Sequence, residues 1–217
     1  MVTETRRQER LAIVGTGGHA REIAWLAESC GYARDALVFL VDETYFTHRR
    51  INGILVETFE SGACDGFPCV VAIGDPTARA AVRARCTARD MRIASLVAPD
   101  TILHDTVHLA PGVVIAPGAV ITVNVSLGED VHVNVCASIS HDVSIGRFST
   151  LSPGARIAGH VHIGESVFIG ANATIINGTP DKPLLIGDRA IIAAGACVIG
   201  PVAQGETVVG VPARSRG

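Results

Sequence analysis

From Leu103 to Ile175 every sixth residue is aliphatic, in an unbroken series through Leu109, Ile115, Ile121, Leu127, Val133, Ile139, Ile145, Leu151, Ile157, Ile163 and Ile169. A period of six fits neither the 3.6-residue turn of an α-helix nor the two-residue alternation of a half-buried strand. Four residues after most of these positions comes a second small or branched apolar residue, such as Val107, Val113, Ala119, Val125 and Val131, and Gly or Pro-Gly punctuates the gaps. Self-similarity at a fixed period marks a solenoid, because one such unit cannot bury its apolar side chains alone. Three hexads make one triangular coil, and coils stacked at the inter-strand spacing of about 4.8 Å bury a continuous aliphatic column. The series breaks after Ile175, where Asn177-Gly178-Thr179-Pro180-Asp181-Lys182-Pro183 intervenes before it resumes at Ile186, Ile192 and Val198. That segment predicts a loop thrown out from a coil corner, where solenoids place binding elements.

The N-terminal part has a different texture. Leu11 to Val14 reads as a buried strand, Gly15-Thr16-Gly17-Gly18-His19-Ala20 as a turn, and Arg21 to Cys30 as an amphipathic helix. Ala36 to Val41 predicts a second strand ending in Asp42, and Cys69 to Ile73 a third ending in Gly74-Asp75. A helix over Thr77 to Cys86 and a fourth strand over Ile93 to Val97 complete the pattern. Strand, glycine turn, helix and a strand ending in an acid make half of a doubly wound nucleotide-binding fold. As a bare GxGG the turn also fits a tight strand-to-helix connection with no ligand, since Ala20 holds the third glycine position of the dinucleotide fingerprint. The expected organisation is a Rossmann-like α/β half domain over residues 9–98, a linker at Ala98-Pro99-Asp100-Thr101, and an all-β parallel β-helix over residues 102–214.

Composition narrows the functional classes. A formal charge of −3 without a basic patch argues against a nucleic-acid partner, and the first apolar run is too short for a signal peptide or a membrane span. A cytoplasmic location is expected. The six cysteines carry no CxxC pair and read as reduced, mostly buried small hydrophobes, and no metal site is expected.

A small Rossmann-like half fused to hexads resembles the sugar O- and N-acyltransferase family of hexapeptide-repeat transferases. That family includes sialic acid O-acetyltransferases and the N-acetyltransferases of nucleotide-linked 4-amino-4,6-dideoxy sugars. The resemblance implies a left-handed β-helix that binds acetyl-CoA, an N-terminal domain that binds a nucleotide sugar, and a homotrimer with CoA held between neighbouring helices. On the N-terminal side the matching residues are Gly17, Gly18 and His19 in the first turn, Asp42 after the second strand, and Gly74, Asp75 and Arg79 after the third. Gly17 and Gly18 let backbone approach phosphate at a helix N-terminus, Asp42 has the acceptors for ribose or base, and His19 fits equally a ligand contact and a plain helix-start histidine.

The resemblance makes His141 the catalytic base, with Asp142 orienting or polarising its imidazole. Removal of a proton from an acceptor amine or hydroxyl suits neutral imidazole. Because successive strand residues point to opposite faces, help from Asp142 requires a local turn at the coil edge. Residues eighteen apart stack, so Val123, His141 and Gly159 form one column and Asn124, Asp142 and His160 the next. Gly159 leaves room beside His141 and, by resemblance, offers its N–H to the thioester carbonyl, as an oxyanion needs. The same resemblance places Asn134, Ala194, Gly195 and Arg214 on the CoA side, Arg214 within a C-terminal Gly210-Val211-Pro212-Ala213-Arg214.

Other histidines are expected to be bland: His104, His108 and His132 on outward positions facing solvent or the subunit interface, and His160 with His162 as an HxH lacking a third ligand nearby in sequence. One departure is Phe148-Ser149-Thr150-Leu151, where many relatives carry a second histidine. The sequence therefore predicts an acetyl-CoA-dependent N-acetyltransferase of a nucleotide-linked amino sugar. O-acetylation of sialic acid or another sugar, and a non-catalytic binding scaffold, remain open at this level.

Overall fold

A computed structural model describes residues 9–216. The chain divides into two compact units that meet in sequence between Pro99 and Asp100, with Asp75–Thr77 grouped with the second.

The first unit is an α/β layer fold. Its strands are β1 (Leu11–Val14), β2 (Leu37–Val41), β3 (Arg50–Ile51), β4 (Ile54–Thr58), β5 (Pro68–Val71) and β6 (Arg92–Ile93), in the order β3-β4-β2-β1-β5-β6. All neighbours run parallel except β3 and β4. Apolar runs buried on both faces are what such a sheet demands, and every residue of β1 and β2 is buried. One face, with Ala12, Val14, Val38 and Leu40, packs on Phe59, Cys64, Cys86 and Met91. Helix α1 spans Gly18–Ser29 and α2 Pro76–Thr87.

Two expectations change here, and one element is new. Helix α1 starts at Gly18 instead of Arg21, because Gly17 takes the extended N-cap conformation and the Arg21 N–H bonds back to its carbonyl at 3.2 Å. The strand expected over Ile93 to Val97 joins this sheet only through Arg92–Ile93, while Leu96–Val97 forms a separate strand. An unforeseen hairpin links β3 to β4, with Asn52 and Gly53 at φ 49° and 82°. Asn-Gly between apolar residues is the strongest short hairpin signal, and it stands in the sequence at Ile51-Asn52-Gly53-Ile54.

In the second unit the hexads close into a parallel β-helix. Ile121 pairs with Ile139, Ile139 with Ile157 and Ile157 with Ile175, each step eighteen residues. Two further ladders stack Leu127, Ile145 and Ile163, and Ile115, Val133, Leu151 and Ile169. These side chains are buried, and burial of each contributes about 1.5–3 kcal/mol. Ile163 pairs with Ile186, and 186 − 163 = 23, so the excursion adds five residues without disturbing the stack. At its tip Thr179 and Lys182 exchange backbone hydrogen bonds of 3.0 and 3.1 Å around Pro180-Asp181. An antiparallel strand, Arg214–Ser215, closes the last coil against Thr207–Val209.

The corners carry a second six-residue period. Gly112, Gly118, Asn124, Asp130, Cys136, Asp142, Phe148, Gly154, His160, Ser166 and Asn172 all have positive φ. Glycine, Asn and Asp are the residues that tolerate the left-handed region at least cost, and they hold seven of these eleven positions. Among the described residues no helix is long and apolar enough to cross a membrane.

Candidate active site

Asp142 is one of the left-handed corner residues, at φ 57°. That twist sends its side chain back towards its predecessor, so His141 Nδ1 lies 2.8 Å from Asp142 Oδ2. The next corner up and down the same column completes the arrangement. Asn124 Nδ2 donates to Asp142 Oδ1 at 2.9 Å, and His160 Nδ1 stands 3.8 Å from Oδ2. The His141 and His160 rings meet edge to face, with centroids 5.0 Å apart and planes at 81°. The hydrogen bond from His141, then that from Asn124, and the neighbouring imidazoles hold the Asp142 carboxyl below the usual carboxylate range. With the carboxylate ionised, the proton of His141 belongs on Nδ1, which leaves Nε2 as the acceptor.

The space beside His141 is not empty, as the sequence suggested, but filled by its own ring. A Cβ on Gly159 would stand 2.4 Å from His141 Cε1 and 2.6 Å from Nε2. Only hydrogen at that Cα admits the imidazole. Gly159 is buried, and its N–H donates to no acceptor among the described residues, although the amides on either side bond to Ile175 and His141. A donor beside the imidazole with no partner among the described residues is available to a ligand oxygen.

His160 is the residue that sequence reasoning set aside. Paired with His162 as an HxH it had no third ligand, but the relevant partners are Asp142 and His141 one coil below. His162 turns elsewhere and shares a 2.7 Å hydrogen bond with Ser144 Oγ. The signal that finds His160 is the eighteen-residue column itself. A second correction concerns His132, expected on an outward position yet 1% exposed; its register neighbours Val114 and Thr150 are buried too, so that stretch of the β-helix surface is covered. His104 and His108 are exposed.

The remaining cofactor-side residues lie apart from this cluster in their contacts. Asn134 Nδ2 donates to the Leu151 carbonyl at 2.8 Å. Gly195, at φ 69°, has open space over its Cα, and Ala194 beside it is exposed. Arg214 is exposed, its Nη1 on the Ala213 carbonyl at 3.0 Å.

In the first unit the carboxyl ends of β1, β2 and β5 surround a cavity of about 340 Å³, lined in part by Gly15, Asp42, Tyr45, Phe59, Ile73 and Val82. It sits where the strand order reverses about β1, the place where open α/β sheets bind ligands. Gly15, at φ 118°, brings its Cα so close to the Ala72 carbonyl that a Cβ would lie 3.2 Å from it. Gly17 has open space above its Cα and Gly18 only the Arg21 guanidinium, at 3.9 Å. His19 lies in the first turn of α1, its Nδ1 3.5 Å from Glu22 Oε2, and burial lowers its pKa below the ordinary imidazole value.

Two expected ligand contacts are engaged inside the chain. Arg79 is fully buried and its Nη1 donates to the carbonyls of Ile73, at 2.6 Å, and Gly74, at 3.1 Å; it fixes the loop after β5. Asp42 forms an ion pair with Arg85, whose Nη2 reaches Glu60 at 3.1 Å and whose guanidinium lies 4.1 Å over the Phe59 ring. Asp75 is exposed. Tyr45, Phe59, Glu60 and Arg85 were not singled out by the sequence, since nothing local marks them as neighbours of the glycine turn.

The PglD N-terminal domain family matches residues 10–86. Over 212 residues the chain is 31% identical to GDP-perosamine N-acetyltransferase of Escherichia coli O157:H7, covering 93% of this chain and 94% of that one. The protein belongs to the hexapeptide-repeat sugar acyltransferases. Solved structures agree with this: WeeI from Acinetobacter baumannii AYE superimposes with a TM-score of 0.89 at 29% identity, covering 95% of this chain and 99% of that one. A histidine-to-asparagine variant of perosamine N-acetyltransferase from Caulobacter crescentus, in complex with CoA and GDP-perosamine, gives 0.85 at 26% identity, with 96% and 97% covered. The chain is thus an acetyltransferase with an α/β half domain and a left-handed β-helix, and an enzyme in preference to a scaffold.

Proposed function

We propose that this acetyltransferase moves the acetyl group of acetyl-CoA to the amine of a nucleotide-linked amino sugar, with His141 as the base. The observation that carries the reading is the His141–Asp142 pair set against Gly159. Nδ1–H is committed to the carboxylate, so Nε2 takes a proton from the acceptor amine as its nitrogen attacks the thioester carbonyl. The C–N bond forms, the oxyanion draws on the Gly159 N–H, and collapse breaks the C–S bond. His141 then returns its proton to the departing CoA sulfur. No acyl-enzyme is required, and Asp142 acts as a positioning residue that also stabilises the imidazolium.

Support for the acceptor comes from the relatives: one is named for GDP-perosamine, and another was solved with CoA and GDP-perosamine. The cavity at the carboxyl ends of β1 and β2 takes the nucleotide, with Gly17, Gly18 and His19 at the phosphate end, Asp42 in its wall, and Gly74, Asp75 and Arg79 on the segment that follows β5. Asn134, Ala194, Gly195 and Arg214 serve CoA in a cytoplasmic homotrimer, where His141 acts at a subunit boundary.

The test is CoA release from acetyl-CoA with UDP-, dTDP- and GDP-linked 4-amino sugars and with sialic acid, for the wild type and His141→Ala. Release with one amino sugar that disappears in the variant is the expected result. Release with sialic acid alone moves the acceptor to a hydroxyl, and undiminished release by His141→Ala removes the base.

A further inference from the structure

The transfer chemistry uses one imidazole, yet two, His141 and the corner residue His160, stand around a single carboxylate oxygen. We propose that His141, Asp142 and His160 form a binding site for a divalent transition metal, Zn²⁺ in the first place, and that metal bound there switches the transferase off. The binding half stands on geometry alone; the switch rests on the reading of His141 as the base.

Three ligand atoms, one from each residue, lie within 4.8 Å of one another. Zn–N and Zn–O bonds of about 2.0–2.1 Å in a tetrahedron require ligands roughly 3.4 Å apart. The two separations from Asp142 Oδ2, 2.8 Å to His141 Nδ1 and 3.8 Å to His160 Nδ1, straddle that value. Small rotations of the exposed His141 and the partly exposed Asp142 and His160 side chains therefore reach coordination distance without moving the coils. The perpendicular rings can converge on one point without stacking. The carboxylate is also held from behind, since Asn124 Nδ2 occupies Oδ1 and leaves Oδ2 facing both histidines. An outer contact of that kind fixes the ligand as in established metal sites. Two imidazoles and one carboxylate suit a borderline cation such as Zn²⁺ and leave one position for water.

Inhibition follows from the tautomer. Metal on His141 Nδ1 displaces the proton that Asp142 normally receives, and the neutral ring must then carry its proton on Nε2. Nε2 becomes a donor and can no longer accept a proton from the amine.

Zn²⁺ and Co²⁺ added to the full-length metal-free protein, followed by calorimetry and by the visible absorption of four-coordinate cobalt, test binding without reference to turnover. One equivalent should bind, and CoA release should fall with zinc and return with a chelator. Loss of an outer-shell partner alone costs about 10–100-fold in affinity, so His160→Gln should weaken zinc by at least about tenfold. Its turnover, measured against its own metal-free rate, should resist zinc to the same extent. Cys136 is the exposed thiol and Cys197 a partly exposed one, so a Cys136→Ser/Cys197→Ser protein should behave as wild type. Zinc that binds His160→Gln undiminished, or that is lost with the two cysteines, overturns the site and leaves the acetyl-transfer reading intact. Zinc bound at the cluster with full turnover overturns the switch and, with it, His141 as the base.

Discussion

In the β-helix a functional residue finds its partners by arithmetic, whereas in the α/β unit it finds them through the fold. Asn124, Asp142 and His160 touch in sequence steps of eighteen. Asp42 instead meets Arg85 and, through it, Glu60, residues 43 and 18 positions away for no repeating reason. The first arrangement is fixed by a backbone period that any side chain inherits. The second depends on where β2, α2 and the segment after β4 happen to end, so Asp42 could be read from the sequence but Glu60 and Arg85 could not.

Substitutions can break or sharpen that contrast. The largest effect is expected from His141→Ala, which should lower kcat by about 100- to 10,000-fold, as removal of a general base does, with the melting temperature little changed because His141 is exposed; steady-state CoA release with a melting curve checks both. Next comes Leu151→Ala, whose side chain is buried between Val133 and Ile169. It should cost about 2–5 kcal/mol in a denaturant titration, and a much smaller loss would mean the aliphatic column is not what holds the coils together.

Gly159→Ala sharpens the period argument, because the three atoms nearest its methyl group all belong to the ring of a residue eighteen positions earlier. Displacement of the base by about 1 Å should cost roughly 100-fold in kcat, with circular dichroism unchanged. Asp142→Asn keeps a residue that tolerates positive φ while removing the charge; kcat should fall about tenfold or more, and the pH profile distinguishes lost polarisation from lost folding. The smallest effect belongs to the other region. Burial lowers the His19 pKa, so the fold favours neutral imidazole. Stability is then full above the unfolded value of about 6.5 and declines as pH falls from there towards the lowered one. His19→Asn should flatten that slope in melting curves taken from pH 7.5 to pH 5.

Most of the architecture was legible because both repeats, aliphatic and glycine-punctuated, are local. The hexads, the break at Asn177 and strands β1, β2 and β5 of the α/β unit all follow from side chains read in order. What escaped reading was long-range or rested on backbone twist. The β3–β4 hairpin had its Asn-Gly signal in plain sequence, yet the strands flanking it are short and half exposed. His132 looked outward by its position in the hexad, and only the fold shows that its stretch of surface is covered. Asp142 was expected to need a turn to reach His141; the left-handed corner is that turn. His160 stood in the right column but was grouped with its neighbour in sequence instead of its neighbour in space.

Because every corner from 112 to 172 falls on the same six-residue beat, the β-helix works as a ruler with two graduations. An insertion of eighteen residues between His160 and Gly178 would carry the Thr179–Lys182 finger one coil further, about 4.8 Å, without turning it. An insertion of six would swing the finger a third of a turn onto a different face. Lengths that are not multiples of six cannot be absorbed by the stack and must leave as a new finger, as the five extra residues between Ile163 and Ile186 already do.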